Sequence, residues 1–187
     1  MTLCLDDAFI GEWHPKYAEN DEKEYKEIVS CVQQEIGSTG NIGRPTFERI
    51  IKWKTRNRSK RFLLLNEYST LYAPAFRRCF AATPERKLDE LIARDRKLPG
   101  VDARVASTVV HFMHADSMPI IDVRTVGVLH HLGYLKNRGT ELRHYEEFRM
   151  AMTRILSLCP RRSLRELDRA LFAYHKKNLG VNESYCG

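Results

Sequence analysis

The sequence predicts an all-α fold, and three observations support this prediction. Apolar residues recur at the three- and four-residue spacing of amphipathic helices along most of the chain. Glycine, proline and serine signals for turns and caps separate these segments by short connections. No stretch shows the apolar–polar alternation that is typical of a half-buried strand, and no internal repeat is visible. Eight or so helices with short connections are therefore expected.

Each predicted helix is defined by its apolar stripe and by the residues that begin and end it. Gly11 and Pro15 are expected to keep the start of the chain irregular, and Gly37 to end the first helix. Ser163 and Glu166 have the spacing of a capping box. In chain order, the predicted elements are an irregular start at 1–19, a helix at 22–36, a glycine-rich loop at 37–43, a short helix opened by Pro45, and helices at 62–82 with a break near Pro74, 83–97, 103–115, 122–133, 142–158 and 163–177.

Composition sets the broad class of the protein. The chain has 187 residues, a net charge of +7 and 43% hydrophobic residues, enough for one large domain or two small lobes that share a core. Its pI of about 9.2 favours an anionic partner, of which nucleic acid is the commonest. No apolar run reaches the length of a membrane span, and the start resembles no signal peptide. We expect a cytoplasmic, nucleoid-associated protein with no membrane partner.

The five cysteines, at positions 4, 31, 79, 159 and 186, are scattered along the chain. No two of them have C-x-x-C spacing, so we expect free thiols in a reducing compartment rather than a metal or redox pair. The spacing also excludes an iron–sulfur cluster held by four cysteines of a short C-terminal loop.

The most informative segment is Leu98-Pro99-Gly100-Val101, where a predicted helix ends and another begins. Such a turn directs backbone N–H groups of a helix N-terminus outward, where the helix dipole favours a phosphate. Ala106 is small enough to let the two helices pack closely. An ordinary turn between two helices is the alternative interpretation.

The segment resembles the helix-hairpin-helix DNA glycosylase superfamily, which includes endonuclease III and the adenine-mismatch glycosylases. That family shows L-P-G-V-G, an alanine in the next helix, a proline, apolar residues, an aspartate, and a helix that ends near L-G. The same order is present here as 98–101, Ala106, Pro119-Ile-Ile121, Asp122 and Leu132-Gly133. The resemblance covers 85–133. It implies a two-lobed helical fold over 1–187, with flanking helices at 20–82 and 140–178.

The resemblance implies that Asp122 is the catalytic residue. In the family this aspartate lies at the mouth of the base pocket, where it activates water or stabilises the positive charge that develops on the sugar. An ionised carboxylate in such a pocket is strong electrostatic catalysis. The alternative is that Asp122 only caps the helix that begins at Val123.

Three departures from the family pattern affect this assignment. Arg104 stands at the position of the lysine that forms a Schiff base in bifunctional members, and arginine stays protonated, so we expect a monofunctional enzyme without a lyase step. Asp102 replaces the second glycine of the hairpin and brings a negative charge to the expected phosphate site. Val123-Arg124 replaces the common Thr-His. If the resemblance holds, these departures indicate a divergent member of the family, or a protein that kept the fold without the chemistry.

DNA contacts are also predicted for residues other than Asp122. The run 52–61 has six basic residues and no acidic one, so it is a candidate for phosphate contact, with a solvated loop as the alternative. Trp53 is a candidate for base stacking, although a core position beside Ile50 is favoured. The predicted DNA-binding residues are Leu98, Pro99, Gly100, Val101, Arg104, Lys52, Lys54, Arg56, Arg58 and Arg124.

Gln33 and Gln34 are candidates for filling the gap left by a flipped base, as a glutamine near the corresponding helix does in the family. Two exposed surface amides are the favoured alternative. His111 and His114 lie three residues apart, but no third ligand has suitable spacing, so no zinc site is expected. We expect no cofactor, with a monovalent cation at the hairpin turn as an alternative.

Together these observations predict a monofunctional DNA glycosylase that binds double-stranded DNA, flips a damaged or mismatched base and hydrolyses its N-glycosidic bond. The first alternative is a non-catalytic DNA-binding protein with the same fold. The second is a helical interaction protein with no nucleic-acid partner.

Overall fold

The computed structural model of the protein describes residues 3–17, 22–56 and 62–180. All regular elements in these ranges are helical and none is a strand, so the all-α prediction is confirmed. No helix in the same ranges is long and apolar enough to cross a membrane. In chain order, the α-helices are α1 (Asp7–Trp13), α2 (Glu22–Thr39), α3 (Arg44–Thr55), α4 (Ala73–Ala81), α5 (Asp89–Ile92), α6 (Ala103–Met113), α7 (Val123–His131), α8 (Leu142–Ser157) and α9 (Leu164–Asn178).

The chain folds as two compact units. The hairpin unit comprises Glu19–Ile120 and the short stretch Glu141–Arg143, and it contains α2 to α6. The terminal unit comprises Met1–Ala18, Ile121–Thr140 and His144–Gly187, and it contains α1, α7, most of α8, and α9.

Aromatic side chains fill the core of the hairpin unit, where α2, α3 and α6 pack on one another and α4 packs on α5 and α6. Phe47, Tyr72, Phe76 and Phe112 are among the largest fully buried side chains. The Phe47 and Phe76 rings meet edge to face at 5.0 Å, an arrangement that stabilises beyond the apolar area it buries.

The terminal unit is built around α9, which packs against both α1 and α7. Its buried residues Leu167 and Leu171 lie one turn apart on one face, as the sequence predicts. Gly127 of α7 faces α9, where a Cβ would make ordinary van der Waals contact with the His175 ring at 3.5 Å. Ser163 and Glu166 form the predicted capping box at the start of α9.

Four of the predicted helices agree closely with the structure, and three of them have a capping side chain at the N-terminus. Asp102 begins α6, Asp122 begins α7 and Ser163 begins α9, each through a side-chain hydrogen bond to a backbone N–H of the first turn. Gly133, at φ +78°, follows the end of α7. Helix α8 matches its predicted range to within one residue.

The prediction of an irregular N-terminus is wrong. Helix α1 occupies residues 7–13 with Gly11 inside it, because the Asp6 carboxylate caps it through the Phe9 N–H at 2.9 Å. Burial of Phe9, Ile10 and Trp13 offsets the glycine, which costs a helix only about 1 kcal/mol. Pro15 lies beyond the end of α1, in a 3-10 turn.

Gly37 does not end α2, which continues to Thr39. The residue that ends it is Gly40, whose φ of +66° is the left-handed conformation typical of a helix terminus. Its N–H donates to the Ile36 carbonyl at 2.9 Å. The loop before α3 is therefore shorter than predicted.

The segments 62–82 and 83–97 also differ from the prediction. A 3-10 turn at Leu65–Glu67 and a π-helical turn at Tyr68–Tyr72 lead into α4. The helix is not broken at Pro74, which lies in the first turn of α4, where a missing N–H is tolerated. The expected helix 83–97 is reduced to a 3-10 turn at Pro84–Arg86 and the single turn α5.

Candidate nucleic-acid interface

The turn at Leu98–Val101 forms, but the helix predicted to end in it does not, because α5 ends at Ile92. The Val101 N–H donates to the Leu98 carbonyl at 3.2 Å, and Gly100 between them has φ +72°. Leu98 and Val101 are buried, which anchors both ends of the turn in the hairpin unit. Because α5 ends at Ile92, the turn joins an irregular segment, 93–97, to α6.

Gly100 is packed closely by the chain that follows the basic run. A Cβ on Gly100 would lie 2.8 Å from a Leu63 side-chain carbon and 2.9 Å from the Phe62 backbone. The Tyr72 hydroxyl joins the same two segments, since it donates to the Pro99 carbonyl at 2.8 Å and accepts from the Leu64 N–H at 3.0 Å. Glycine is thus required at position 100 for conformation and for space.

Asp102 and Arg104 form a local pair at the start of α6. The Asp102 carboxylate accepts from the Val105 N–H at 2.8 Å and from the Arg104 guanidinium at 3.0 Å. Asp102 is therefore the N-cap, which gives a structural reason for an aspartate where the family has glycine. Both side chains are about half exposed, so an external phosphate would compete with Asp102 for Arg104.

The cations near the turn are of two kinds, those paired with the Glu90 carboxylate and those that are exposed. Glu90 accepts hydrogen bonds from Arg78 at 3.0 Å and from Arg96 at 2.6 Å. Burial would raise the pKa of Glu90, but the hydrogen bonds and charges of the two arginines outweigh it and hold this pKa below its ordinary value. Arg94 and Lys97 are exposed and form no ion pair within the described residues.

Two apolar side chains beside the turn were not recognised from the sequence. Phe62 is 56% exposed and Leu64 is 47% exposed, whereas Leu63 between them is buried against Gly100. The run Phe62-Leu-Leu-Leu65 contains no polar residue, so the sequence does not indicate which of its side chains are buried and which are exposed. The packing of Leu63 on the turn distinguishes them in the structure.

The basic run begins inside α3. Lys52 and Lys54 lie in the last turn of this helix, and Arg56 follows it as the C-cap with φ 49°. Cations at a helix C-terminus interact favourably with the helix dipole, which is a structural account of these charges that needs no DNA. Lys52 and Arg56 are exposed, and Arg58 lies outside the described residues.

The structure favours the core interpretation of Trp53. Its ring is half-buried and lies 5.3 Å from the Phe112 ring and 5.9 Å from the Tyr25 ring. These contacts hold Trp53 at the edge of the hairpin unit core. A ring used to stack on a base would instead lie exposed.

The two glutamines lie near the end of α2 with exposed side chains. The Gln33 amide donates to the Met113 carbonyl at 3.3 Å and approaches the Phe112 carbonyl at 3.5 Å. Gln33 therefore caps the C-terminus of α6, a role that the sequence did not indicate. Gln34 remains a surface amide.

Asp122 begins α7 in the terminal unit, as both sequence interpretations require. Its carboxylate accepts from the Arg124 N–H at 3.1 Å, and the side chain is partly exposed. The Arg124 guanidinium lies 4.6 Å from the centre of the Phe172 ring, a cation–π contact between α7 and α9. Asp122 thus has a fixed position at the positive end of a helix.

The histidines have structural partners. His111 is buried, with its two ring nitrogens 2.8 Å from the Tyr25 hydroxyl and 2.8 Å from the Met118 carbonyl. His114 stacks on Phe80 at 5.4 Å. The part of the chain that the structure describes contains no group of three or more His, Cys, Asp or Glu that could hold a metal ion.

Comparison with known proteins identifies no relative. No family model matches the chain, and no match is found among curated proteins or among solved structures. The functional argument therefore depends on the residues of this chain.

Proposed function

We propose that this protein binds double-stranded DNA through the hairpin unit. The observation that carries the proposal is the turn at Gly100, which has a left-handed conformation and is anchored by Tyr72. The capped helix α6 follows it, and exposed cations precede and follow it in the sequence. Arg94 and Lys97 precede it and Arg104 follows it. Phosphate contacts by such cations position a protein on a duplex.

Phe62 and Leu64 add a second kind of contact. Several minor-groove binding proteins insert apolar side chains such as Phe and Leu between base steps. Phe62 is held for this by the packing of its own backbone on Gly100. Lys52, Lys54 and Arg56 of the same unit would add phosphate contacts, and contacts by Arg58 and Arg124 stay predictions.

The proposed reaction is hydrolysis of the N-glycosidic bond of a damaged or mismatched base. Asp122 would stabilise the positive charge on the sugar and activate the attacking water. Support comes from the family resemblance and from the fixed, partly exposed carboxylate at the N-terminus of α7. Arg104 cannot form a Schiff base, so the product is an abasic site without strand cleavage.

A non-catalytic DNA-binding protein is the second candidate. Asp122 makes the N-cap hydrogen bond of α7, which is sufficient reason for an aspartate at this position. A monovalent cation at the turn stays a further proposal, although the Leu98 and Pro99 carbonyls each already accept a hydrogen bond.

DNA binding is tested by salt titration of the Arg94→Ala/Lys97→Ala double variant. Each phosphate contact contributes about 0.9 to the slope of log K against log salt, so losing two contacts lowers the slope by about 2. The matched control is Lys23→Ala/Lys176→Ala, which removes two exposed charges elsewhere in the chain. Equal slopes for both variants and the wild type would refute the hairpin as the binding surface.

Catalysis is tested with Asp122→Asn on a panel of damaged and mismatched duplexes. Asparagine keeps the helix cap and loses the negative charge, so helix content is retained while the rate falls on the order of a hundredfold or more. The readout is strand breakage at the abasic site after alkali, with borohydride trapping as the control for a Schiff base. DNA binding without activity on any duplex would favour the second candidate.

A further inference from the structure

In the terminal unit, the turn between α8 and α9 is held against the first turn of α1. The Arg162 guanidinium donates to the Asp7 carboxylate at 2.9 Å and approaches the Asp7 carbonyl at 3.4 Å. A Cβ on Gly11 would lie 3.0 Å from an Arg162 nitrogen, so the same guanidinium also covers the middle of α1.

Each side of this contact carries a cysteine three residues before the ion-pair partner. Cys4 precedes Asp7, and Cys159 precedes Arg162. The Arg162 N–H donates to the Cys159 carbonyl at 2.9 Å, so both lie in one tight turn. On the other side, burial of Leu5 fixes the chain next to Cys4.

The two thiols differ in exposure and lie in the same electrostatic neighbourhood. Cys4 is exposed and Cys159 is buried, and both are free. Burial raises the pKa of the Cys159 thiol, and the charges of Asp7, Asp6 and Cys4 raise it further.

We propose that Cys4 and Cys159 are a thiol–disulfide site that a hydroperoxide oxidises. The exposed Cys4 sulfur attacks the peroxide, and hydrogen peroxide then yields the Cys4 sulfenic acid and one water. The Cys159 sulfur attacks the sulfenic sulfur and the S–S bond forms. The leaving hydroxide takes the Cys159 proton and departs as a second water, so two thiols are oxidised while one peroxide is reduced.

The other described cysteines belong to the hairpin unit and have different surroundings. Cys31 is partly exposed on α2, where its sulfur lies 3.5 Å from an Arg49 nitrogen. Cys79 lies 3.9 Å from the Met113 sulfur, and burial raises the pKa of its thiol to about 12. Cys186 lies outside the described residues.

The experiment treats the full-length chain with a small excess of hydrogen peroxide, blocks free thiols, and identifies linked peptides by mass spectrometry without reduction. The expected product is monomeric, carries one Cys4–Cys159 linkage and has lost about 2 Da. Because the disulfide closes a long loop, the Tm of the oxidised protein should rise by several degrees. A reductant should reverse both the linkage and the rise in Tm.

Variants separate this site from non-specific oxidation. Cys4→Ser changes an exposed side chain, so it should fold normally and lose the linkage entirely. Cys31→Ser is the matched control and should form the Cys4–Cys159 bond as the wild type does. Linkage of Cys4 to any other cysteine, intermolecular dimers as the main product, or Cys4 oxidised to sulfinic acid without a disulfide would each overturn the proposal.

Discussion

Substitution of Gly100 by alanine should lower the free energy of unfolding by about 3 kcal/mol. The left-handed conformation at φ +72° costs an L-residue about 1–2 kcal/mol. The new Cβ would also lie 2.8–2.9 Å from Leu63 and from the Phe62 backbone, which must then move. Overpacking of this kind costs about 1–3 kcal/mol.

Alanine substitutions at two other glycines separate the conformational and the packing contributions to this loss of stability. Gly133 has φ +78° with nothing within 4 Å of a Cβ, so Gly133→Ala should lose only the conformational part, about 1–2 kcal/mol. Gly37 lies inside α2, also with nothing within 4 Å, so Gly37→Ala should gain about 0.5–1 kcal/mol.

The assay is urea unfolding of the four proteins, followed by circular dichroism, together with thermal melts. The expected stability order is Gly37→Ala, wild type, Gly133→Ala, Gly100→Ala. At about 2–4 °C per kcal/mol for a chain of this size, Gly100→Ala should melt about 6–12 °C below the wild type. If Gly100→Ala is no less stable than Gly133→Ala, the close packing of Phe62 and Leu63 on the turn is refuted.

Three further substitutions test other contacts. Lys87→Met removes three hydrogen bonds from a buried ammonium to carbonyls at the end of α4 and should cost about 3 kcal/mol in the same urea assay. Burial, and then the charge of Lys87, lower the pKa of His114, so the unfolded chain binds this proton more readily and stability falls as pH drops below about 6.5. His114→Phe keeps a ring on Phe80 and should flatten that fall in Tm between pH 7.5 and pH 5. Ser163→Ala removes the N-cap of α9 and should cost about 1 kcal/mol, measured by urea unfolding against a neutral surface variant.

The helices that the sequence predicted well are those whose caps and stripes are local. Asp122 and Gly133 delimit α7, and Ser163 begins α9, because each acts on backbone groups within a few residues. The segment 83–97 failed for the opposite reason. Lys87 turns inward to the end of α4, and Glu90 binds Arg78 of the same helix, so long-range contacts override the local helical pattern.

The features of the candidate site also fall into those that depend on neighbouring residues and those that depend on residues distant in sequence. The turn at 98–101 and the capping alternative for Asp122 depend on local chemistry, and both were stated from the sequence. The Tyr72 anchor, the Gln33 cap on α6 and the outward position of Phe62 depend on residues distant in sequence. Periodicity carries no information on which distant segments meet, so these features required the structure.

The assembly of the terminal unit from separate stretches has a consequence for synthesis of the protein. Helix α1 is made before the hairpin unit but packs on α9, which is made after it. Because domains generally fold as units during synthesis, we expect the nearly continuous hairpin unit to fold before the terminal unit, which needs α9. Until then Phe9, Ile10 and Trp13 lack their burial partner and are exposed to chaperones and proteases. A chain whose synthesis stalls before α9 would therefore carry a folded hairpin unit and an N-terminal segment with exposed apolar side chains.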